Sequence, residues 1–576
     1  VAIALRIPKS TARCERWPWR KRVGAACAAV VTLFVSTPLA GVANDAAAAG
    51  PEFTIAVDPA VRAQPLTGRV FVFVSRSAHP EPRLQYGGLA DTIPFFGRDV
   101  DALPPGASAT IDAATPGYPV LTPRDLPSGD YTVQALANVY TRFARADGHT
   151  IWAHADAGEG QQFTLSPGNL VSAPVHVRID AGRSQSIALT LNTVLPPIAP
   201  LPDTAFVKHV RVRSALLSRF WGAPVFLGAV VLLPKGYAPT GRRRYAAVYQ
   251  QGHFSRNAPF GFDPNAAPET PAERAARLAR TNRESRYAFT RAWLRGETPP
   301  LVAVTFEHPT PYYDDSYAVD SANNGPYGTA LLTELIPRLE ARFHLVPDGR
   351  ARFLIGGSTG GWEALALQIY HPRDFNGAWG LYPDPVDFHR FQIGDMYADT
   401  SAFTTRRNAW IVSEIPAQRT ADGNTVSTMR EESRLEAVLG THGRSGEQFN
   451  AWDAAYGPAG ADGYPREMWD KRTGIIDHAV IAAMRARGFD LTAYLQRNWA
   501  RIGPALTGKL HVDVGDDDDY FLNLAVYRLQ AFLASTTRPA AHAVFRYGRP
   551  MKPHGWQAAP TIEYLREMAR RATFTP

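Results

Sequence analysis

A serine hydroxyl becomes a useful nucleophile only when a base removes its proton and an acid orients that base. One serine in this chain stands where such chemistry can be built. Gly356-Gly357-Ser358-Thr359-Gly360 lies between a short apolar run at 353–355 and a helix-like stretch at 361–370. A Gly-x-Ser-x-Gly turn between a strand and a helix strains the serine backbone, and its neighbours must lack Cβ atoms. In that arrangement the partners follow in the order serine, carboxylate, histidine, each on a loop beyond a strand. The order is present. Gly515-Asp516-Asp517-Asp518-Asp519 follows a strand-like run at 510–514, and His554, in Pro553-His554-Gly555-Trp556, follows another at 543–546. His554 is therefore the expected base. Alternating side chains allow only one or two of the four aspartates to face it. Asp518 is the expected acid and Asp516 the second choice; Asp384 or Asp387, beyond the run at 377–381, are the alternatives one strand earlier.

Acyl transfer also needs donors for the developing oxyanion. The backbone N–H of Thr359, at a helix start, is one. The second is expected from His253 or Phe254 in the loop Gln251-Gly252-His253-Phe254. His308, Tyr312, Tyr313, Tyr317 and Trp362 are expected to line the substrate pocket, which their rings would suit to an apolar or aromatic acyl group. The aspartate run lacks the Gly and terminal Glu of an EF-hand loop, so no metal is expected, nor any organic cofactor.

The elements that must position these residues change character along the chain. Residues 51–195 read as short strands at 70–74, 131–135, 175–179 and 187–191, separated by Gly, Pro and Asp, the pattern of an immunoglobulin-like β-sandwich. Pro196-Pro197-Ile198-Ala199-Pro200-Leu201-Pro202 cannot join a sheet, and a linker is expected over 196–203. From 204 to 576 strands alternate with helices: an antiparallel pair at 207–212 and 225–233, then 245–249, 301–306, 353–355, 377–381, 510–514 and 543–546. Alternation of this kind predicts a mostly parallel eight-stranded sheet with helices on both faces. The helix at 330–343 should kink at Pro337. About 390–505 is an insert carrying Trp410, Trp452, Trp469 and Trp499, expected to form a lid over the site.

The 576 residues exceed one ordinary core, so more than one domain is expected. The formal charge of +8 is unevenly placed. Arg6, Lys9, Arg13, Arg16, Arg20, Lys21 and Arg22 face only Glu15 within 1–43, which leaves the remainder near neutral and argues against a nucleic-acid partner. Arg20-Lys21-Arg22, an apolar run at 23–35 and Gly41-Val42-Ala43 have the order of a signal peptide spanning 1–43. The apolar run is short for a bilayer span, so export to the periplasm or beyond is expected, without stable membrane insertion after cleavage. Both cysteines, Cys14 and Cys27, lie in this leader, and the mature chain should hold no disulfide.

Ala246-Ala247-Val248-Tyr249-Gln250-Gln251-Gly252, the elbow at 356–361, Gly515-x-x-Asp518 and His554 together resemble the putative-esterase group of α/β-hydrolases, which includes esterase D, feruloyl esterases and enterobactin esterases. The resemblance spans about 205–576. It implies an α/β-hydrolase fold and a serine carboxylic-ester hydrolase using Ser358, His554 and Asp518 on a small or polysaccharide-linked ester. Acyl transfer by the same residues, or an inactive binding protein on the same fold, are the other functions it allows. Gln-Gly stands here where His-Gly is commoner before the oxyanion loop.

Overall fold

Eight strands form the central sheet of the computed structural model, which describes residues 50–572 apart from 90, 313, 314 and 407. The leader expected over 1–43 lies outside the described residues. The strands are β1 (Val207–Ser214), β2 (Val225–Leu232), β3 (Ala247–Gln251), β4 (Val302–Glu307), β5 (Arg352–Gly357), β6 (Ala378–Leu381), β7 (Leu510–Gly515) and β8 (Val544–Gly548). Their spatial order is β1-β2-β4-β3-β5-β6-β7-β8. β2 runs antiparallel to both β1 and β4, and every later pairing is parallel. Parallel strands covered on both faces need apolar side chains in near-continuous runs. β4, with Val302, Ala303, Val304 and Phe306 all buried, supplies one.

Parallel pairing also fixes where the loops emerge. Gln251 pairs with Gly356, Gly357 with Leu381, and Gly515 with Gly548, so the loops after β3, β5, β6, β7 and β8 leave from one edge. Every residue singled out for acid–base or nucleophilic chemistry lies on those loops. The kink expected at Pro337 takes the form of a π-helical turn, Leu331–Leu335, between the α-helical pieces Tyr327–Ala330 and Ile336–Arg342. A proline lacks the N–H that an α-helical turn requires, and the wider turn just before it accommodates the loss.

Nine of the N-terminal strands join in one sheet, eight along a single hydrogen-bonded path and Val175–Ile179 beside it. Pro51–Val57 pairs in parallel with Gln185–Val194, and Gly129–Val139 is flanked by Leu66–Ser75, Leu170–Ser172 and Val175–Ile179. Phe53, Ile55, Val72, Val133 and Leu189 meet in one core, so the path folds back on itself. The opposite face, with Phe71, Phe73, Phe95 and Leu136, packs on Leu435, Val438 and Leu439 of the helix Met429–Leu439. Packing therefore continues across the proline-rich run.

That helix belongs to the insert between β6 and β7, which also holds the helices Gln448–Tyr456, His478–Arg487 and Leu491–Leu506. Its C-terminal end is locked to the N-terminal strands by Arg69, 3% exposed. The guanidinium donates to the carbonyls of Val438 (2.8 Å) and Ala437 (3.1 Å) and pairs with Asp99 at 2.7 Å. Gly97 makes the approach feasible, since a Cβ there would lie 2.4 Å from the Val438 carbonyl oxygen. Among the described residues no helix is long and apolar enough to cross a membrane. Arg69→Ala leaves two helix-end carbonyls without their donor and removes one partner of Asp99, which keeps Arg444 at 3.2 Å and Thr441, so it should cost on the order of 2 kcal/mol, the scale of losing buried hydrogen bonds to a charged group. Urea unfolding checks this; an unchanged midpoint would show that the contact does not hold the insert.

Candidate active site

Ser358 sits between β5 and the helix Thr359–Tyr370 with φ 57° and ψ −124°. This is a region that a side-chain-bearing residue adopts only when its surroundings enforce it. The surroundings are glycine. A Cβ on Gly356 would lie 2.2 Å from the Gly360 carbonyl oxygen, and one on Gly360 would lie 2.1 Å from that of Gln251. A Cβ on Gly357 would meet the Tyr382 hydroxyl at 2.4 Å, and one on Gly361 the Leu381 carbonyl oxygen at 2.7 Å. Strand, helix start and two neighbouring strands thus converge on the turn, and four positions have no room for a side chain.

The four consecutive aspartates divide among several partners, two of them meeting His554 at different atoms. Asp518, fully buried, accepts from His554 Nδ1 through Oδ2 at 2.8 Å, while Oδ1 takes the Tyr520 N–H (3.0 Å) and the Leu522 N–H (3.3 Å). Asp516 pairs with Arg549 (2.6 Å) and accepts from the Tyr527 hydroxyl (2.7 Å). Asp517 pairs with Arg419 at 2.9 Å, and Asp519 accepts the His554 backbone N–H at 3.2 Å. Gly515 is required here, because a Cβ on it would fall 2.0 Å from the Lys552 carbonyl oxygen as the His554 loop passes.

The His554 ring is wedged edge-on between Tyr382 and Tyr520, with centroids 4.6 and 5.0 Å away. Burial works to lower its pKa, but the Asp518 carboxylate and its hydrogen bond outweigh that, with Asp519 and Asp384 adding, and the net shift is upward.

Ser358, His554, His253 and Asp384 line one cavity of about 310 Å³. Among the described residues no hydrogen bond joins the Ser358 hydroxyl to His554; Oγ donates instead to Asp384 Oδ1 at 3.4 Å. Catalytic hydrogen bonds are often long or misdirected without substrate. Asp384 is itself buried, and its Oδ2 accepts from Thr359 Oγ1 (3.0 Å), the Tyr317 hydroxyl (3.1 Å) and Trp452 Nε1 (3.1 Å). Burial raises its pKa, against which His253 and these donors act. Thr359 Oγ1 also meets His253 Nε2 at 3.0 Å, tying the loop after β3 to the elbow. Asp387 binds Arg528 (2.9 Å) and His389 (3.0 Å). The imidazole nitrogen thus bonds Asp518 rather than Asp516, Asp384 or Asp387.

The expected aromatic pocket is corrected in most of its members. His308 is 1% exposed and accepts the Ser316 N–H at 3.1 Å; Tyr312 packs on Trp221; Trp362 packs on Tyr317 and Tyr456. These three are core, because aromatic residues near a strand end fill the interior as readily as they line a cavity. The Tyr317 ring is buried and its hydroxyl reaches the site, meeting Asp384, Thr359 and Gln448; Tyr313 lies outside the described residues. Phe254 turns its ring toward Gly160, where a Cβ would lie 2.2 Å from it. Of the four insert tryptophans, Trp452 lines the cavity, while Trp410 is 91% exposed and Trp469 and Trp499 are buried elsewhere.

The remaining wall has no counterpart in the sequence reading. Gln392, Gln418, Glu432, Glu447 and Gln448 all come from the insert. No motif marks them; only the length of the insert hints that it reaches the site.

The family model described as putative esterase matches residues 227–452. Similar solved structures include a ferulic acid esterase (16% identity, TM-score 0.35, covering 63% of this chain and 98% of that one). An S-formylglutathione hydrolase from Agrobacterium tumefaciens (13%, 0.32) covers 64% and 98%. The fluorophosphonate-binding serine hydrolase F of Staphylococcus aureus, substrate bound (11%, 0.31), covers 64% and 98%. No curated protein matches the chain.

Gly360→Ala should lower stability by about 3 kcal/mol, at the upper end for single substitutions, because the clash is with backbone. Its urea midpoint measures this; a midpoint equal to that of the native chain would contradict the account of the turn.

Proposed function

We propose that this chain, whose residues 227–452 match the putative-esterase family, is an exported serine carboxylic-ester hydrolase. The observation that carries the reading is a serine held at φ 57° on a strand-to-helix turn, sharing a cavity with an imidazole whose Nδ1 is bonded to a buried carboxylate. Ser358 Oγ attacks the ester carbonyl carbon while His554 Nε2 takes its proton. Asp518 keeps the other ring nitrogen protonated and stabilises the imidazolium. The developing oxyanion takes the N–H of Thr359 and one from the His253–Phe254 loop. The imidazolium passes its proton to the departing alcohol, leaving an acyl group on Oγ. Water, deprotonated by His554, then releases the acid and restores the hydroxyl. The Ser358 hydroxyl must first leave Asp384 for His554, a rotation about one side-chain bond. Export rests on the leader over 1–43.

Ser358→Ala should lower p-nitrophenyl acetate turnover at least about a thousandfold with the fold retained. Full residual activity would refute the assignment. The acid limb of kcat/KM reports His554, which must be neutral to accept a proton. Its pKa is raised, so activity should fall with a midpoint above the ordinary value of about 6.5. Asp518→Asn should move that midpoint down and cut kcat by up to about ten-thousandfold. A limb unmoved in this variant would remove Asp518 from the mechanism.

A further inference from the structure

One wall of the Ser358 cavity comes from a distant part of the chain. Among the described residues, Leu89 is what the N-terminal region adds to the lining, and its side chain is only half-buried. The loop that carries it is held from several sides. The Tyr86 hydroxyl donates to Glu447 Oε1 at 2.7 Å, at the start of the helix Gln448–Tyr456, and the Tyr86 ring packs edge-on against Phe95 and Phe163. Tyr118 donates to the Leu89 carbonyl at 2.9 Å. A Cβ on Gly87 would lie 2.2 Å from the Asp91 carbonyl oxygen, so the chain doubles back around Leu89 with little slack. The part of Leu89 left open contributes nothing to folding, whereas an apolar ligand laid against it would bury it.

An apolar path leads from Leu89 to the serine. Leu89 packs in the same cluster as Leu435. The next residue, Glu436, accepts the Phe449 N–H through Oε1 at 2.7 Å, which brings the start of the helix Gln448–Tyr456 against the Leu435 turn. The Phe449 and Trp452 rings are 5.8 Å apart, and Trp452 Nε1 donates to Asp384, whose other oxygen takes the Ser358 hydroxyl. Leu89, Leu435, Phe449 and Trp452 all line the cavity. The path therefore reaches Ser358 from the Asp384 side. A leaving alcohol belongs on the other side, where His554 can protonate it. Burial pushes the carboxyls of Glu432 and Glu436 up to about 7 and about 8 and raises that of Glu447, so their protonated forms are well populated near neutral pH and an apolar chain can lie beside them.

We propose that Leu89 closes the acyl end of the cavity, so that the N-terminal region sets the length of the straight-chain acyl group presented to Ser358. The inference rests on the hydrolase reading of Ser358. It gives the N-terminal region a part in substrate selection besides its packing on the insert. The cavity of about 310 Å³ is at the small end for ligand sites, so one leucine at its end decides how long a chain fits.

The test uses p-nitrophenyl acetate and p-nitrophenyl hexanoate, which differ only in acyl length. Leu89→Ala should raise the hexanoate-to-acetate ratio of kcat/KM about tenfold, the scale of one methylene in an apolar pocket, and Leu89→Trp should lower it about tenfold. Opposite movements are required, because a general loosening of the loop would shift both variants the same way. With ethyl and hexyl acetate, which differ in the alcohol, the same variants should move the ratio by less than about threefold, under 1 kcal/mol. Calorimetric binding of the two p-nitrophenyl esters to the Ser358→Ala protein, with and without each Leu89 change, separates this claim from hydrolysis. The relative affinities should shift in the same two directions, and they decide the matter if the native chain turns over neither ester. Ratios that stay fixed, that move together in the two variants, or that move for the alcohol series instead overturn the assignment, even if p-nitrophenyl acetate is hydrolysed. Failure of both esters to bind or react overturns it as well.

Discussion

Four close approaches of backbone and side chain force the Ser358 turn into a conformation that an isolated chain would avoid. The strand β5, the start of its helix, the end of β3 and the loop after β6 meet so tightly that glycine is needed at 356, 357, 360 and 361. The energy stored at Ser358, of the order of 1–3 kcal/mol for such backbone strain, is held by the packing of the whole sheet around it. That turn delivers the hydroxyl to the cavity and leaves the Thr359 N–H at a helix start. It also sets Asp384 against both residues.

Everything else at the site is placed by reference to that turn. Parallel register brings the His554 and Asp518 loops to the same edge. The insert closes the cavity from the other side, and the N-terminal strands steady it through Arg69, Gly97 and the packing of Phe71 and Phe95 with Leu435 and Val438. Trp452 carries that support to Ser358, since its Nε1 donates to the carboxylate that holds the Ser358 hydroxyl.

Much of this is legible in the sequence because backbone constraints leave marks. The elbow glycines, Gly515 before the aspartate run and the alternation of strands with helices all follow from local sterics or periodicity, and the structure places those elements within a few residues of where the sequence puts them. Side-chain direction leaves weaker marks. Nothing in the spacing distinguishes Trp362, packed in the core, from Trp452, which lines the cavity, because both are large apolar residues near the site. The aspartate run cannot be divided among its partners until Arg549, Arg419 and His554 are placed around it. Glu432, Glu447 and Gln392 leave no signal, since a carboxylate or amide in an insert without periodicity reads as solvent-facing.

The central claim is that Ser358 is a nucleophile activated by His554. Incubation of the folded protein with a fluorophosphonate, followed by peptide mass spectrometry and a labelling time course, tests it most directly. The account predicts one adduct, on Ser358, formed at least about a hundredfold more slowly in His554→Ala, the lower range for loss of a general base. An adduct absent from Ser358, or one that forms at the same rate without the imidazole, would contradict it.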